Sequence, residues 1–198
     1  MFITLEGLDG SGKTTQARLL GARLEAEGNE VVLTREPGGT PLGEEIRNLV
    51  LHGGDVAPWA EASLYAASRA QHVEQLIRPA LERGAIVICD RYVDSSVAYQ
   101  GIARGLGLEL VLDLNLAAVA GLMPDRTILL EIGADDAVAR LGGERDRIER
   151  EHDDFHVRVA DAYRQLATCF PERYLVLDGA LPVDELAEQI AAAIPRAT

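Results

Sequence analysis

Gly7-Leu8-Asp9-Gly10-Ser11-Gly12-Lys13-Thr14-Thr15 follows the apolar run Phe2-Ile3-Thr4-Leu5 and precedes a stretch of helical periodicity. Its fixed positions match G-x-x-x-x-G-K-[ST], a phosphate-binding loop set between a strand and a helix. The spacing has a mechanical reason. Glycines let backbone N–H groups converge on phosphate oxygens, and the helix N-terminus behind them adds positive potential. A lysine ammonium then reaches the β and γ phosphates, while the next hydroxyl ligates Mg²⁺. Gly7 through Thr15 are therefore the expected ATP-binding residues, with Lys13 a catalytic cation and Thr14 a metal ligand. Lys13 is the only lysine in 198 residues, so every other formal positive charge on a side chain is an arginine. A dinucleotide fingerprint, G-x-G-x-x-G, does not fit the Gly7, Gly10, Gly12 spacing.

Working outward, β-rich runs recur at residues 2–5, 31–34, 85–90, 127–132 and 174–178, each apolar almost throughout. Continuous rather than alternating apolarity is what a strand covered on both faces requires. Helical patterns lie between them at 14–27, 60–83, 108–120, 151–169 and 183–193, with Gly28, Gly84 and Pro171 as stops. Five β-α units predict an α/β fold: a P-loop NTPase-type, doubly wound, five-stranded parallel sheet flanked by helices, with its ligand site at the carboxyl ends of the strands. One domain over 1–198 is expected.

The net charge of -13 and pI near 4.7 oppose a role in coating nucleic acid or anionic membranes, both of which need a basic face. The longest apolar run, 116–123, is far short of the roughly 20 residues that span a bilayer. Met1 leads directly into the first strand, so the expected location is cytoplasmic, with no nucleic-acid or membrane partner. Cys89 and Cys169 are expected as two buried, reduced thiols.

A polyanionic ligand must then meet local arginines. Residues 85–90 form an apolar strand ending in Asp90, placed as a second Mg²⁺ ligand would be, although such an Asp can also merely cap a turn. Three clusters pair an arginine with a possible base or sugar contact: Thr34-Arg35-Glu36-Pro37-Gly38-Gly39-Thr40, Tyr65 with Arg69, and Asp90-Arg91-Tyr92 through Tyr99-Gln100. Tyr65 and Arg69, four residues apart, share a helix face, so they can stack on and edge-bond a pyrimidine or simply fill core. His152 and His156, amid Glu151, Asp153 and Asp154, read as a solvated helix start rather than a metal pair. No G-x-S-x-G elbow is present.

These segments together resemble the thymidylate kinase family, with Thr34 through Thr40 the most specific match and the likeness running from Phe2 to about Leu177. The resemblance implies phosphoryl transfer from ATP to dTMP, giving dTDP and ADP, by a homodimer. It implies that Asp9 contacts the deoxyribose 3′-OH, that Tyr65 stacks on thymine, and that Arg69 bonds the base. Arg35 and Arg91 would grip the acceptor phosphate near Pro37. Tyr99 would crowd the place of a ribose 2′-OH, Gln100 would neighbour the base, and Ser96 stands where some members carry Asn. Asp9, Lys13 and Arg91, with Arg147, form the implied catalytic set.

Arg140-Leu141-Gly142-Gly143-Glu144-Arg145-Asp146-Arg147-Ile148-Glu149-Arg150 is glycine-interrupted and charge-rich, a composition suited either to a small lid over about 141–151 or to a plain solvated loop. The loop at Gly10-Ser11 carries no arginine. In the bacterial type of the resembled family the lid supplies it, which implies Arg147, with Arg140, Arg145 and Arg150 beside it, closing on the transferring phosphoryl group. A nucleotide switch and a kinase for another nucleoside monophosphate remain as alternatives, and the first lacks an N-K-x-D guanine motif.

Overall fold

The structure, a computed structural model, describes residues 1–142 and 146–194. Its strands are β1 (Phe2–Glu6), β2 (Val31–Arg35), β3 (Ile86–Asp90), β4 (Arg126–Glu131) and β5 (Tyr174–Asp178). The helices are α1 (Lys13–Ala26), α2 (Pro41–His52), α3 (Pro58–His72), α4 (Arg78–Glu82), α5 (Val93–Ser96), α6 (Leu108–Ala118), α7 (Ala134–Arg140), α8 (Asp153–Cys169) and α9 (Val183–Ala193).

All pairings are parallel, in the order β2-β3-β1-β4-β5. β1 is central because it buries apolar side chains on both faces: Phe2, beside Leu129 of β4, points into one layer, and Ile3 and Leu5, beside Ile128 of β4, into the other. The second layer is closed by Ala17, Leu20 and Leu24 of α1 and by Leu186 and Ile190 of α9. Burying each large aliphatic side chain contributes about 1.5–3 kcal/mol. That packing secures α1, whose start at Gly12 has no side-chain cap. From β1 the chain builds β2 and β3 on one side and β4 and β5 on the other, which opens a crevice at the carboxyl end of β1. Register sets Leu5 opposite Asp90, so the phosphate loop and Arg91 leave the sheet side by side.

Two helical segments were not anticipated, while α7, expected before the lid, is present. Thr40 caps α2, its hydroxyl accepting from the Gly43 N–H at 3.0 Å, with Pro41 in the first turn. Segment 93–103 begins as α5 and continues as a π-helical run over Val97–Ala103, and α7 leads toward the expected lid. The helix expected at 60–83 is one path, but a π-helical turn over Val73–Ile77 separates α3 from α4. Of the two thiols, Cys89 is buried and Cys169 exposed, contrary to the expected burial of both. His152 is exposed as expected, whereas His156 is buried against the Phe155 ring, its centroid 5.7 Å away.

Candidate active site

The phosphate loop is held in shape by glycines in the left-handed region, which cost no strain there, and by close neighbours. Gly10 sits at φ 85°, and a Cβ there would strike the Ala137 carbonyl of α7, so the loop tip can approach that helix only as glycine. Lys13 is buried, and its ammonium donates to the Leu8 carbonyl at 2.7 Å across the loop. Burial and the nearby Arg91 lower its pKa, while Asp9, Asp90 and Glu6 oppose that shift. The Ser11 hydroxyl is buried without a hydrogen-bond partner among the described residues. Thr14 donates its hydroxyl to Asp90 Oδ2 at 2.5 Å, joining the loop to the end of β3.

Arg91 is the hinge of the site. Its φ of 72° lies in the left-handed region, which costs a non-glycine residue on the order of 1 kcal/mol and turns the side chain back over the loop. Its backbone N–H continues the β1 ladder to the Leu5 carbonyl at 3.0 Å. The guanidinium donates to Asp9 Oδ1 at 2.6 Å, to the Gly7 carbonyl at 3.0 Å, and to Ser95, Tyr99 and Tyr163 at 3.2–3.3 Å. Burial works against ionisation of Asp9, but Arg91 and Lys13 outweigh it and hold the carboxyl well below the usual range. Tyr99 donates to the other Asp9 oxygen at 3.3 Å.

Two adjoining cavities share Asp9, Glu36, Arg47 and Arg91. One is lined by Gly10, Gly12, Lys13, Thr14, Thr15, Arg35 and Asp90, and by Leu141 at the start of the expected lid. The other is lined by Pro37, Tyr65, Arg69, Ser96, Tyr99 and Gln100. Arg69 is 1% exposed. It donates Nε to Glu36 at 2.6 Å, Nη1 to Ser96 at 2.9 Å and to Asn115, and Nη2 to the Tyr92 carbonyl at 2.9 Å. His72 holds the opposite Glu36 oxygen at 2.8 Å and reaches the Thr34 hydroxyl at 2.7 Å. Gly39, at φ 75°, lies so close that a Cβ would fall 2.5 Å from His72 Nε2. The Tyr65 phenol is pushed up by burial and by Glu61.

The structure thus brings most expected residues together, with two qualifications. Arg35 faces the phosphate-loop cavity, paired with Glu44 at 2.9 Å, instead of lining the second cavity. Among the described residues, the lid arginines do not converge on the phosphate loop. Arg147, expected over the transferring phosphoryl group, donates instead to Glu61 at 2.5 Å and to the Val50 carbonyl at 2.8 Å. Ion pairing with a fully buried carboxylate explains the difference. Arg140 donates to the Gly179 carbonyl at 2.8 Å, Arg150 is exposed, and Arg145 lies outside the described residues.

Five residues escaped the sequence reading. Arg47 of α2 lines both cavities and donates to the Pro37 carbonyl at 3.1 Å. Glu6, buried under Arg91, accepts from the Tyr92 N–H at 2.8 Å and from Ser95 and Tyr163 at 2.6 and 3.0 Å. Burial and Asp94 push its carboxyl up to about 7. A lone acid ending an otherwise apolar strand was the signal for it. Glu61 shares a helix face with Tyr65 and Arg69 at i, i+4, i+8, and His72 follows three residues on. Asn115 gave no signal beyond an amide inside an apolar helix.

Comparison with known proteins bears on this geometry. The family model described as thymidylate kinase matches residues 5–190. The thymidylate kinase of Clavibacter sepedonicus is 55% identical over 196 residues, covering 97% of this chain and 93% of that one. That of Leifsonia xyli subsp. xyli is 57% identical over 194 residues, covering 96% and 92%. A crystal structure of thymidylate kinase from Ehrlichia chaffeensis superposes with a TM-score of 0.82 at 36% identity, covering 97% of this chain and 96% of that one. With a phosphate loop and an arginine-lined second cavity meeting at Asp9 and Arg91, and with these likenesses over nearly its whole length, the chain belongs to the thymidylate kinase family.

Proposed function

We propose that the residues gathered at the carboxyl end of the sheet carry out the family's reaction, ATP-dependent phosphorylation of dTMP to dTDP, in one nucleoside monophosphate kinase domain. ATP occupies the cavity of Gly7–Thr15, where loop N–H groups and Lys13 take its phosphates. dTMP occupies the second cavity. There Tyr65 stacks on the base, Arg69 and Gln100 bond its edge beside Ser96, and Asp9 takes the 3′-OH while Tyr99 fills the space a ribose 2′-OH would need.

The carrying observation is that the two cavities meet at Asp9, Arg47 and Arg91. An acceptor phosphate already bears an anionic oxygen, so transfer needs no strong general base. The obstacle is bringing two polyanions into line, and it falls to positioning and positive charge. Arg91 and Arg47 stand where the two phosphate chains would approach, with Arg35 alongside.

A divalent metal fits the Thr14–Asp90 pair, a hydroxyl and a carboxylate 2.5 Å apart beside the loop, which is the oxygen donor set Mg²⁺ prefers. When bound there, directly or through water, Mg²⁺ would neutralise charge on the β and γ phosphates. The lid is the remaining source of positive charge for the γ-phosphoryl: with Arg147 bound to Glu61 and Arg140 to the Gly179 carbonyl, exposed Arg150 is the candidate among the described residues.

α2, α3 and α6 carry Leu49, Trp59 and Leu110 exposed at 56%, 47% and 60%, which supports a homodimer. No helix among the described residues is long and apolar enough to cross a membrane; a cytoplasmic location belongs to the same reading. The testing experiment presents ATP and Mg²⁺ with dTMP, dUMP, dCMP, dGMP and dAMP in turn and follows ADP release. dTMP should support the fastest release. Equal release with every acceptor, or with none added, would overturn the assignment.

A further inference from the structure

Glu61 is 0% exposed and faces the thymine cavity only through another residue. Its Oε1 accepts from Gln100 Nε2 at 2.9 Å. Its Oε2 accepts from Arg147 at 2.5 Å and from Arg104 at 3.3 Å. A carboxylate flanked by two guanidinium groups offers acceptors alone, so it fixes which way the Gln100 amide points. The NH₂ turns to Glu61. Gln100 Oε1, bonded to no donor among the described residues, is left for the cavity.

Across that cavity Arg69 presents donors and nothing else. Three of its nitrogens are committed to Glu36, Ser96, Asn115 and the Tyr92 carbonyl, which leaves one Nη2–H. The pair therefore reads a base edge as one donor beside one acceptor. The edge of thymine, an O4 acceptor next to an N3–H donor, is complementary. That of cytosine, an N4 amino donor next to an N3 acceptor, is the inverse, and it would set donor against donor and acceptor against acceptor.

We propose that Glu61 is a positioning residue for base specificity: by locking the Gln100 amide with its oxygen inward, it makes the acceptor cavity reject cytosine nucleotides. The inference rests on the reading of that cavity as the pyrimidine site. The methyl group plays no part in it, so discrimination between dTMP and dUMP is independent of Glu61. Arg147, within the lid segment, anchors Glu61 from the far side and is part of the same support.

The experiment measures dissociation constants and kcat/KM for dTMP and dCMP in wild type, Glu61→Gln, Glu61→Asp and Gln100→Ala. A glutamine at 61 can donate to Gln100 Oε1 and release the flip. The dTMP:dCMP preference should then fall at least about tenfold, because rejection by mispaired buried polar groups is what a hydrogen-bonding pocket supplies. Glu61→Asp keeps an acceptor-only partner and should retain the preference even where both affinities drop. An unchanged preference in Glu61→Gln, with a lowered one in Gln100→Ala, overturns the role of Glu61 and leaves the pyrimidine site standing. An unchanged preference in Gln100→Ala overturns the pyrimidine assignment itself. A measurement without variants guards against misfolding of Glu61→Gln: in protein labelled with ¹⁵N-glutamine, the Gln100 NH₂ resonance should barely move on adding dTMP. A large shift would mean that the NH₂ faces the base, which contradicts the proposal.

Discussion

At the residue scale, function is concentrated in a few cations held by buried acids. Lys13→Ala removes the sole ammonium from the phosphate loop. Turnover should drop by about 10³-fold or more, while the melting temperature changes little, since among the described residues Lys13 hydrogen-bonds only the Leu8 carbonyl. Arg147→Ala separates two roles. Breaking its pair with buried Glu61 should cost about 3 kcal/mol in a denaturant melt. A 10³-fold loss of kcat at unchanged stability would instead put its guanidinium on the transferring phosphoryl group. Glu6 supplies a pH test. Its carboxyl is raised from 4.5 to about 7, so the protonated form suits the fold. The stability this gives is complete below the ordinary value and is lost as pH rises through about 7. Glu6→Gln should flatten that decline, worth on the order of 3 kcal/mol, as read from melts between about pH 4.5 and 7.5. Lys13, Asp9 and Arg91 were legible because their types and spacing announce the chemistry. Glu6 left only the faint signal of an acid ending an apolar strand, and Glu61 was illegible because a buried acid is identified by its partners, here Gln100, Arg104 and Arg147, distant in sequence.

At the element scale, the five strands and the helices between them were readable from continuous apolar runs and glycine stops. What periodicity missed are the segments that carry the acceptor cavity. α2 follows the turn at Pro37-Gly38-Gly39, and the π-helical run Val97–Ala103 breaks the 3.6-residue period on which such reading depends. That wider turn brings Tyr99 and Gln100 to the cavity together. The turn before α2 is as constrained. Gly39→Ala would force a Cβ onto His72 at a φ of 75°, costing about 2 kcal/mol and disturbing the His72–Glu36–Arg69 chain. The expected result is a lower urea midpoint with a raised KM for dTMP and a nearly unchanged KM for ATP.

At the scale of the whole molecule, a strongly acidic chain binds two polyanions because Arg35, Arg47, Arg69 and Arg91 line the two cavities at one end of the sheet, where Asp9 holds Arg91 and Glu36 holds Arg69. The switch point between β1 and β3 puts the phosphate loop beside Arg91, and α2 and α3 raise the second cavity against it. Net charge alone hides such a site. The most direct measurement is a crystal structure with adenosine and thymidine joined through five phosphates. The account predicts adenosine phosphates along Gly7–Thr15, the bridge passing Lys13, Arg47 and Arg91, and thymine on Tyr65 with its edge between Arg69 and Gln100. Thymine bound outside that cavity, or a phosphate bridge that bypasses Arg91, would contradict it.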